Sequence, residues 1–267
     1  MIDSHIHLFE RGYRGDRAAG QEMIEYARRR DRFAITSALV IGYEGDAGHR
    51  RNNAYLATIA EDTTWALPLA YVAAERGRSA LDALDDLPLD RFVGISLYLM
   101  SEQAVAGLES WTPDDWSRLP GPRIVSVNTA PAFLARIGDI AAGRPDLLIM
   151  ISHFGAPPSP GPGGVSAALG GLLELAAIGT VHVKASGYYA LAARGWSATD
   201  QATATTRTVQ AFGANRVHWG SDFSPCLEAT TFESAVSPPG LAQLPAVDRR
   251  LVQHQGMVDL LDGLTHR

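Results

Sequence analysis

Two histidines near the start of the chain, His5 and His7, are separated by a single residue. Alternate residues of a β-strand project to the same face, so both imidazoles point the same way if this segment is a strand. His153 and Asp222 lie far along the chain, each at the end of another short apolar run. Imidazole and carboxylate groups suit zinc and related divalent ions. The four side chains therefore predict a metal site, provided that the fold brings them together.

Each of these residues also has a simpler interpretation when it is taken alone. A His-x-His pair often occurs by chance, His153 could donate a hydrogen bond to a loop carbonyl, and Asp222 could cap the helix that follows its strand. The conjunction of the four residues favours a site, because all of them end predicted strands whose bodies are otherwise apolar. Two further histidines, His182 and His218, lie within strand bodies and are predicted to be core residues.

Eight short apolar runs, bounded by turn residues, predict the strands that would position these side chains. Between the runs, apolar residues recur at spacings of three and four, which is typical of helices. This alternation predicts a single-domain (β/α)₈ TIM barrel over residues 1–267, with an open doubly wound sheet as the alternative. The predicted strands are residues 1–8, 33–41, 65–72, 92–99, 123–128, 147–153, 180–186 and 216–222, and the predicted helices include residues 53–61, 130–142, 167–178 and 203–212.

The functional face of such a barrel is formed by the C-terminal ends of its strands. Residues 156–164, APPSPGPGG, directly follow the sixth predicted strand. Proline removes backbone donors and glycine adds conformational freedom, so this segment cannot be regular structure. Its position predicts an active-site loop.

Composition limits the classes of partner. The 23 basic and 29 acidic side chains give a formal net charge of -6, which argues against nucleic acid or an anionic membrane and favours a small-molecule substrate. The single cysteine, Cys226, cannot form an internal disulfide, and neither a signal peptide nor a long apolar run is evident. We expect a soluble cytoplasmic protein, with a homo-oligomer allowed. No phosphate-binding glycine motif supports a nucleotide cofactor.

Four motifs occur in the order DSHIHLF, ISHFGAPP, VHVKASGYY and RVHWGSDFSP. They resemble the amidohydrolase-related branch of the amidohydrolase superfamily, and the resemblance runs from Met1 to Leu264. That branch includes sugar-acid lactonases, the pyrone-dicarboxylate lactonase, and metal-dependent decarboxylases of the aminocarboxymuconate-semialdehyde and resorcylate type. The motifs are specific for the superfamily and do not specify the reaction.

The resemblance implies a role for each of the four residues. His5 and His7 match the metal-binding pair on strand one, and Asp222 matches an aspartate that touches the metal or its water and acts as general base. His153 matches a histidine that binds the metal or polarises the substrate, depending on the member. The implied cofactor is a divalent ion, with zinc the first choice and manganese the second, which lowers the pKa of bound water toward ~7.

Two positions depart from the pattern of the branch. Many relatives have a histidine at the end of strand five, where this chain has Asn128, and an amide is a weak ligand for zinc. Several relatives have an Arg, Lys or Glu on strand four, where this chain has Ser96 and Tyr98. We therefore expect the ion to be held weakly and to be absent from some preparations, since some lactonases of this branch work without one.

Residues near the predicted strand ends are candidates for substrate binding. Lys184 and Ser186 share a face of strand seven, and Tyr188 with Tyr189 follow at its mouth. Lys184 or Arg50 would be a natural partner for a substrate carboxylate, although Lys184 could equally form a structural salt bridge. The remaining candidates are Tyr98 and Asn128.

These residues predict a hydrolase, in which activated water attacks the carbonyl of a small lactone or amide that bears a carboxylate. The alternative is a metal-dependent non-oxidative decarboxylase of a small aromatic or unsaturated acid, with Asp222 or His153 protonating the carbon that loses CO₂. Decarboxylases of this branch generally have the strand-five histidine, so Asn128 favours hydrolysis. A third hypothesis, a catalytically inactive binding barrel, would require loss of the motif residues, and all four are retained.

Overall fold

The strands form one parallel barrel. A computed structural model describes residues 1–119 and 124–265. Within them, eight strands are hydrogen-bonded in chain order, and every neighbouring pair is parallel. The strands are β1 (Ile2–Ile6), β2 (Ser37–Ile41), β3 (Ala66–Tyr71), β4 (Gly94–Leu99), β5 (Ile124–Thr129), β6 (Leu148–Ile151), β7 (Val181–Ala185) and β8 (Val217–Trp219).

The sheet closes between β1 and the segment that follows β8. Ile6 forms a parallel bridge with Phe223. The backbone N–H of Asp222 donates to the carbonyl of His5 at 2.9 Å. The predicted (β/α)₈ barrel is thus confirmed, and the doubly wound alternative is wrong, because an open sheet has no contact between its first strand and the end of its last.

Helices connect successive strands and cover the outside of the barrel. None of those in the described ranges is both long enough and apolar enough to cross a membrane. The α-helices are α1 (Gln21–Arg32), α2 (Asn52–Asp62), α3 (Glu102–Glu109), α4 (Pro113–Ser117), α5 (Leu134–Gly143), α6 (Gly164–Ala168), α7 (Gly170–Glu174), α8 (Tyr188–Ala193), α9 (Ala198–Phe212), α10 (Phe232–Val236), α11 (Ala246–Arg250) and α12 (Gly256–Thr265). The 3₁₀ segments are Ala74–Leu84, Leu89–Arg91, Pro131–Phe133, Ser152–Gly155, Leu175–Ala177, Ala214–Arg216, Pro225–Glu228 and Leu241–Gln243, and Leu251–Gln255 is π-helical.

The helices predicted from periodicity are present, with different boundaries. The helix predicted over 203–212 starts earlier, at Ala198, because Ser197 and Asp200 form a capping box at its beginning. The helix predicted over 167–178 is broken into α6, α7 and a 3₁₀ turn. The break falls at Leu169, and Gly170 and Gly171 directly after it lower the helix propensity there.

Apolar side chains pack on both faces of the sheet. The larger cluster includes Val40, Ile95 and Val183 and lies between the strands and the surrounding helices. A smaller cluster inside the barrel includes Leu39 and Met150, and Met257 of α12 joins it. The last helix therefore closes the lower end of the barrel and leaves the C-terminal ends of the strands as the open end.

The strands are shorter than predicted at the ends that matter for function. β6 ends at Ile151 and β8 at Trp219, so His153 and Asp222 lie in the turns that follow and not on strands. Both residues have positive φ angles, 54° and 58°, a conformation that is costly for residues other than glycine. The two turns therefore set the direction of these side chains. Arg123, predicted to start strand five, lies outside the described residues.

Candidate active site

The histidine pair lies at the open end of β1. His5 belongs to the strand, and His7 follows its last residue by one position. Both side chains are buried, and their Nε2 atoms are 3.3 Å apart. The two imidazoles do share a face, as their spacing predicts.

Two turns bring His153 and Asp222 to the same place. Oδ1 of Asp222 lies 3.6 Å from Nε2 of His5 and 3.8 Å from Nε2 of His7. Its second oxygen, Oδ2, lies 3.9 Å from Nε2 of His153. Gly187 permits this approach: a Cβ at that position would lie 2.6 Å from Nδ1 of His153, and φ there is 69°. The four residues selected from the sequence therefore converge.

Their distances fit a divalent metal. Ligands placed about 2.1 Å from a tetrahedral ion lie roughly 3.4 Å from one another. The separations among the donor atoms of His5, His7 and Asp222 are 3.3, 3.6 and 3.8 Å. Donor atoms of His5, His153 and Asp222 also lie within 4.8 Å of one another. The residues present can therefore hold one ion, with His7 or His153 as the third ligand.

The second ring nitrogen of each histidine contacts an oxygen atom. Nδ1 of His7 lies 2.9 Å from the carbonyl oxygen of Ile41, and Nδ1 of His153 lies 2.9 Å from the hydroxyl of Ser186. His5 has a longer contact of the same kind, at 3.4 Å. Histidines that bind metals commonly donate their other N–H to such a partner, which fixes the ring and leaves the facing nitrogen free to bind. The surroundings of the histidines thus agree with the metal interpretation.

Burial favours the neutral form of these histidines. Desolvation is the largest cause that lowers the pKa of His5, His7 and His153, and the pKa of His7 falls to about 4. The carboxylate of Asp222 acts in the opposite direction on His7 and His153, because it favours their charged forms. A neutral imidazole has the lone pair that metal binding requires. At neutral pH the site is therefore ready to accept an ion.

Asp222 is held by Tyr189, the second of the two tyrosines that follow strand seven. The hydroxyl of Tyr189 donates to Oδ2 of Asp222 at 2.8 Å. Tyr188, the predicted substrate contact, bonds to Thr205 at 2.9 Å and packs edge-on against Phe154. Helix α8 begins at Tyr188, and successive helical residues are rotated by about 100°, so only one of the two adjacent tyrosines can face Asp222. The structure therefore replaces Tyr188 by Tyr189.

The buried carboxylate of Asp3 is hydrogen-bonded to both chain segments that carry the site, β1 and the turn after β8. Asp3 accepts hydrogen bonds from the backbone N–H of Ser221 at 2.8 Å, from that of His5 at 3.3 Å, and from the hydroxyl of Tyr26 at 3.1 Å. Burial raises the pKa of Asp3 to about 7, and these hydrogen bonds oppose the rise. Asp3 thereby ties β1 to the turn that carries Asp222.

Glu22 of α1 braces the loop that follows β1. Its buried carboxylate accepts from the backbone N–H of Phe9 at 2.7 Å and of Tyr13 at 3.1 Å. It also accepts from the hydroxyl of Ser224, two residues after Asp222. This role is not visible in the sequence, because an acidic residue in the first turn of a helix is ordinary without any buried partner.

A cavity of about 520 Å³ opens onto the converging residues, a size that suits a small-molecule ligand. Tyr98 and Asn128, two of the predicted substrate contacts, line it. Ser186, a third predicted substrate contact, is buried behind His153. It contacts the ring of His153 and does not itself line the cavity. The full lining is His7, Phe9, Tyr13, Tyr43, Asp46, His49, Tyr98, Asn128, His153, Tyr189, Asp222 and Pro225.

The two cations predicted to bind a substrate carboxylate do not face this cavity. Lys184 is fully buried inside the barrel, where its ammonium group donates to the hydroxyl of Ser126 at 2.6 Å. Burial lowers its pKa to about 7, although the charges of Asp222 and Asp3 act against that shift. Arg50 is exposed and does not line the cavity. Neither residue belongs to the described cavity lining, and their contact with a substrate stays a prediction.

A second histidine and carboxylate pair lies in the cavity lining. Nδ1 of His49 lies 2.8 Å from Oδ1 of Asp46, and Nε2 lies 3.1 Å from the carbonyl oxygen of Tyr13. The ring packs against Phe9, with centroids 4.1 Å apart. The sequence analysis assigned no partner to His49, although the D-x-x-H spacing was the available signal.

The predicted active-site loop contributes no residue to the cavity lining in the described part of the chain. The indole N–H of Trp196 donates to the carbonyl of Pro158 at 3.1 Å, and Arg194 donates to that of Ala156 at 3.0 Å. Residues 156–164 are thus held against the segment that follows β7.

Comparisons with known proteins agree with this architecture. A family model described as amidohydrolase matches residues 2–254. Among solved structures, an amidohydrolase from Burkholderia multivorans with bound zinc has a TM-score of 0.74 at 17% identity, covering 97% of each chain. A comparison with curated protein sequences gave no match.

Two further solved structures differ in the reaction they are named for. A protein described as a 2-pyrone-4,6-dicarboxylic acid hydrolase from Pseudomonas putida has a TM-score of 0.71 at 21% identity, covering 98% of this chain and 97% of the other. A 2,6-dihydroxybenzoate decarboxylase from Rhizobium has a TM-score of 0.61 at 12% identity, with the same coverage. At such identities the likeness establishes the fold alone.

Proposed function

The chain belongs to the amidohydrolase family, and we propose that it is a hydrolase in which Asp222 activates water for attack on the carbonyl of a small lactone or amide. One observation carries the proposal: the Asp222 carboxylate faces two histidines through one oxygen, and a third histidine and Tyr189 through the other. This arrangement places a general base at a cavity large enough for a small substrate.

In the proposed reaction, Asp222 accepts a proton as the water oxygen bonds to the carbonyl carbon. The electron pair of the carbonyl moves to its oxygen, and it returns as the bond to the leaving oxygen or nitrogen breaks. Asp222 then gives the proton to that leaving atom.

His153 is proposed to polarise the substrate carbonyl. The hydroxyl of Ser186 contacts Nδ1 of His153, and a serine hydroxyl can donate or accept. When the serine donates, Nε2 of the histidine carries the proton and can donate to the carbonyl oxygen. When the serine accepts, Nε2 is free to bind a metal. The tautomer therefore decides between the two roles that the sequence analysis left open.

A divalent ion, with zinc the first choice and manganese the second, would supply Lewis acidity that makes water easier to deprotonate. His5, His7 and Asp222 would hold it. Asn128, at the open end of β5, offers an amide, which suits zinc poorly. We therefore propose that the ion is bound loosely.

Decarboxylation is the alternative reaction, and an experiment has to distinguish it from hydrolysis. A substrate that loses CO₂ brings a carboxylate into the cavity, and carboxylates are usually bound by Arg or Lys. Among the residues that the structure describes, neither an arginine nor a lysine lines this cavity. This distribution of charge favours hydrolysis.

The test is a panel of lactones, amides and aromatic acids, with proton release and CO₂ evolution recorded separately. The protein is assayed as purified, after treatment with a chelator, and after addition of Zn²⁺ or Mn²⁺. We expect proton release from lactones without CO₂, and loss of that activity in Asp222→Asn. CO₂ evolution without proton release from lactones would overturn the proposal. Full activity in Asp222→Asn would remove the general base from it.

A further inference from the structure

Aromatic rings form a large part of the cavity lining. We call this set the aromatic wall: Phe9, Tyr13, Tyr43, His49 and Tyr98. Neighbouring ring centroids are 4.1 Å apart for Phe9 and His49, 5.6 Å for His49 and Tyr43, and 4.7 Å for Tyr43 and Tyr98. The wall is therefore continuous from the loop after β1 to the end of β4.

The aromatic wall adjoins the catalytic residues. The ring of Phe9 is parallel to that of His7, with an interplanar angle of 5° and centroids 5.8 Å apart. A substrate with its carbonyl beside His7 and Asp222 would thus lie with the remainder of its structure along Phe9 and its neighbours. The wall is placed to recognise the part of the substrate that does not react.

The polar atoms of the wall are largely engaged within the protein. Both ring nitrogens of His49 have oxygen partners. Asn128 lies beside the hydroxyl of Tyr98, and Asp46 lies beside that of Tyr43. The wall therefore offers mainly ring faces and edges, which bind another ring by stacking or edge-to-face contact. A polyhydroxylated substrate would find few free partners there.

The charges at the cavity disfavour an anionic substrate. Asp46 and Asp222 both line it. The nearby cations are directed elsewhere: Lys184 is fully buried below, Arg14 pairs with Glu228, and Arg194 donates to backbone carbonyls. At the aromatic wall, away from the ion that His5, His7 and Asp222 would hold, a substrate carboxylate would lose its hydration beside Asp46. It would gain no arginine or lysine partner among the described lining residues, which is costly.

Resting on the proposed hydrolase function, we propose that the substrate is an uncharged lactone that carries an aromatic ring, and that carboxylate-bearing analogues are rejected. This replaces the carboxylate-bearing substrate expected from the sequence. It also separates this chain from the dicarboxylic acid for which one of its structural relatives is named.

The decisive experiment compares three lactones on the wild-type protein by proton release. Dihydrocoumarin is uncharged and has a fused aromatic ring, its ring-carboxylated derivative adds one negative charge, and δ-valerolactone lacks the aromatic ring. We expect kcat/KM for dihydrocoumarin to exceed that for its carboxylated derivative by about tenfold or more. Because the phenoxide of dihydrocoumarin leaves more readily than the alkoxide of δ-valerolactone, the role of the ring is tested on KM, which should be about tenfold lower for dihydrocoumarin. Equal or faster turnover of the carboxylated compound would overturn the inference while leaving the hydrolase intact. An equal KM for δ-valerolactone would overturn the role of the ring.

A matched pair of variants tests the wall itself. Tyr43→Leu removes the ring, and Tyr43→Phe keeps it while removing the hydroxyl. We expect KM for dihydrocoumarin to rise about fivefold in Tyr43→Leu and by less than about twofold in Tyr43→Phe. The KM for δ-valerolactone should change equally little in the two variants. Equal losses with both lactones in Tyr43→Leu would indicate a structural role and would contradict the inference.

A binding experiment distinguishes failure of the hydrolase proposal from failure of this inference. If no lactone is hydrolysed, calorimetric binding of 3,4-dihydro-2-quinolinone, the lactam counterpart of dihydrocoumarin, still tests the cavity. Binding about tenfold tighter than that of its carboxylated derivative supports an uncharged aromatic ligand. Equal or weaker binding overturns the inference.

Discussion

Two groups of buried or partly buried histidines occupy the same barrel and differ in what their nitrogens contact. The upper histidine cluster is His5, His7 and His153, and the lower histidine pair is His182 and His218. In the upper cluster each Nε2 lies within 3.9 Å of an Asp222 oxygen. In the lower pair Nδ1 of His182 contacts Nε2 of His218 at 2.8 Å, and the rings are stacked.

Burial alone does not distinguish the two groups. Desolvation is the largest cause lowering the pKa of the histidines in both. The upper cluster has in addition a carboxylate, oxygen partners for each Nδ1, and a cavity large enough for a ligand. The lower pair has no carboxylate partner among the described residues, and Nδ1 of His218 has no hydrogen-bond partner there. A perturbed pKa thus becomes evidence for function only together with geometry.

The largest expected effect lies at Asp222. Asp222→Asn removes the proposed general base and should lower kcat by about 10³-fold, since such groups typically contribute 10²–10⁴-fold. The matched control is Asp259→Asn, at the lower end of the barrel, which should leave kcat within about threefold. Circular dichroism of both variants checks that the fold is retained. Similar kcat values for the two variants would contradict the assignment of catalysis to the upper end of the barrel.

Metal binding should follow the same division. His7→Asn removes one donor atom from the upper cluster, whereas His182→Asn changes only the lower pair. After equilibration with zinc and desalting, elemental analysis should give clearly less zinc in His7→Asn than in wild type, and wild-type levels in His182→Asn. Equal zinc content in the two variants would show that the ion does not bind at the upper cluster.

A smaller loss is expected from the residue behind His153. Ser186→Ala removes the contact to Nδ1 and should lower kcat/KM by about 10- to 100-fold, the usual effect of losing such a partner. Ser152→Ala, whose contact to His5 is longer at 3.4 Å, should cost less. Steady-state kinetics on the best lactone measures both, and a larger loss in Ser152→Ala would reverse the assigned order.

The lower pair should affect stability and leave activity within about threefold. The pKa of His182 is lowered to about 4 in the folded protein, below its ordinary value of 6.5. Its neutral form is therefore favoured by folding: the contribution to stability is complete above about pH 6.5 and is lost as the pH falls toward 4. The double variant His182→Leu/His218→Leu should show a smaller drop in unfolding temperature from pH 7 to pH 5 than wild type. An unchanged drop would contradict this assignment.

Local pattern predicted most of the fold. The alternation of strand and helix follows from hydrophobic periodicity, which is a property of neighbouring residues in the sequence. The strand ends were less predictable, because His153 and Asp222 lie in positive-φ turns that tertiary contacts stabilise. The choice between Tyr188 and Tyr189 depended on where α8 begins, and one residue of difference rotates a helical side chain by about 100°.

The sequence by itself determined which chemical groups could meet: the His-x-His spacing puts two imidazoles on one face, and the barrel brings the ends of its strands together. Only the tertiary structure decided what surrounds them. Lys184 and Arg50 look alike as candidate cations in the sequence, yet one is buried and the other lies outside the cavity lining. Periodicity is a local property of the chain, whereas the neighbours of a side chain depend on packing between residues that are distant in sequence.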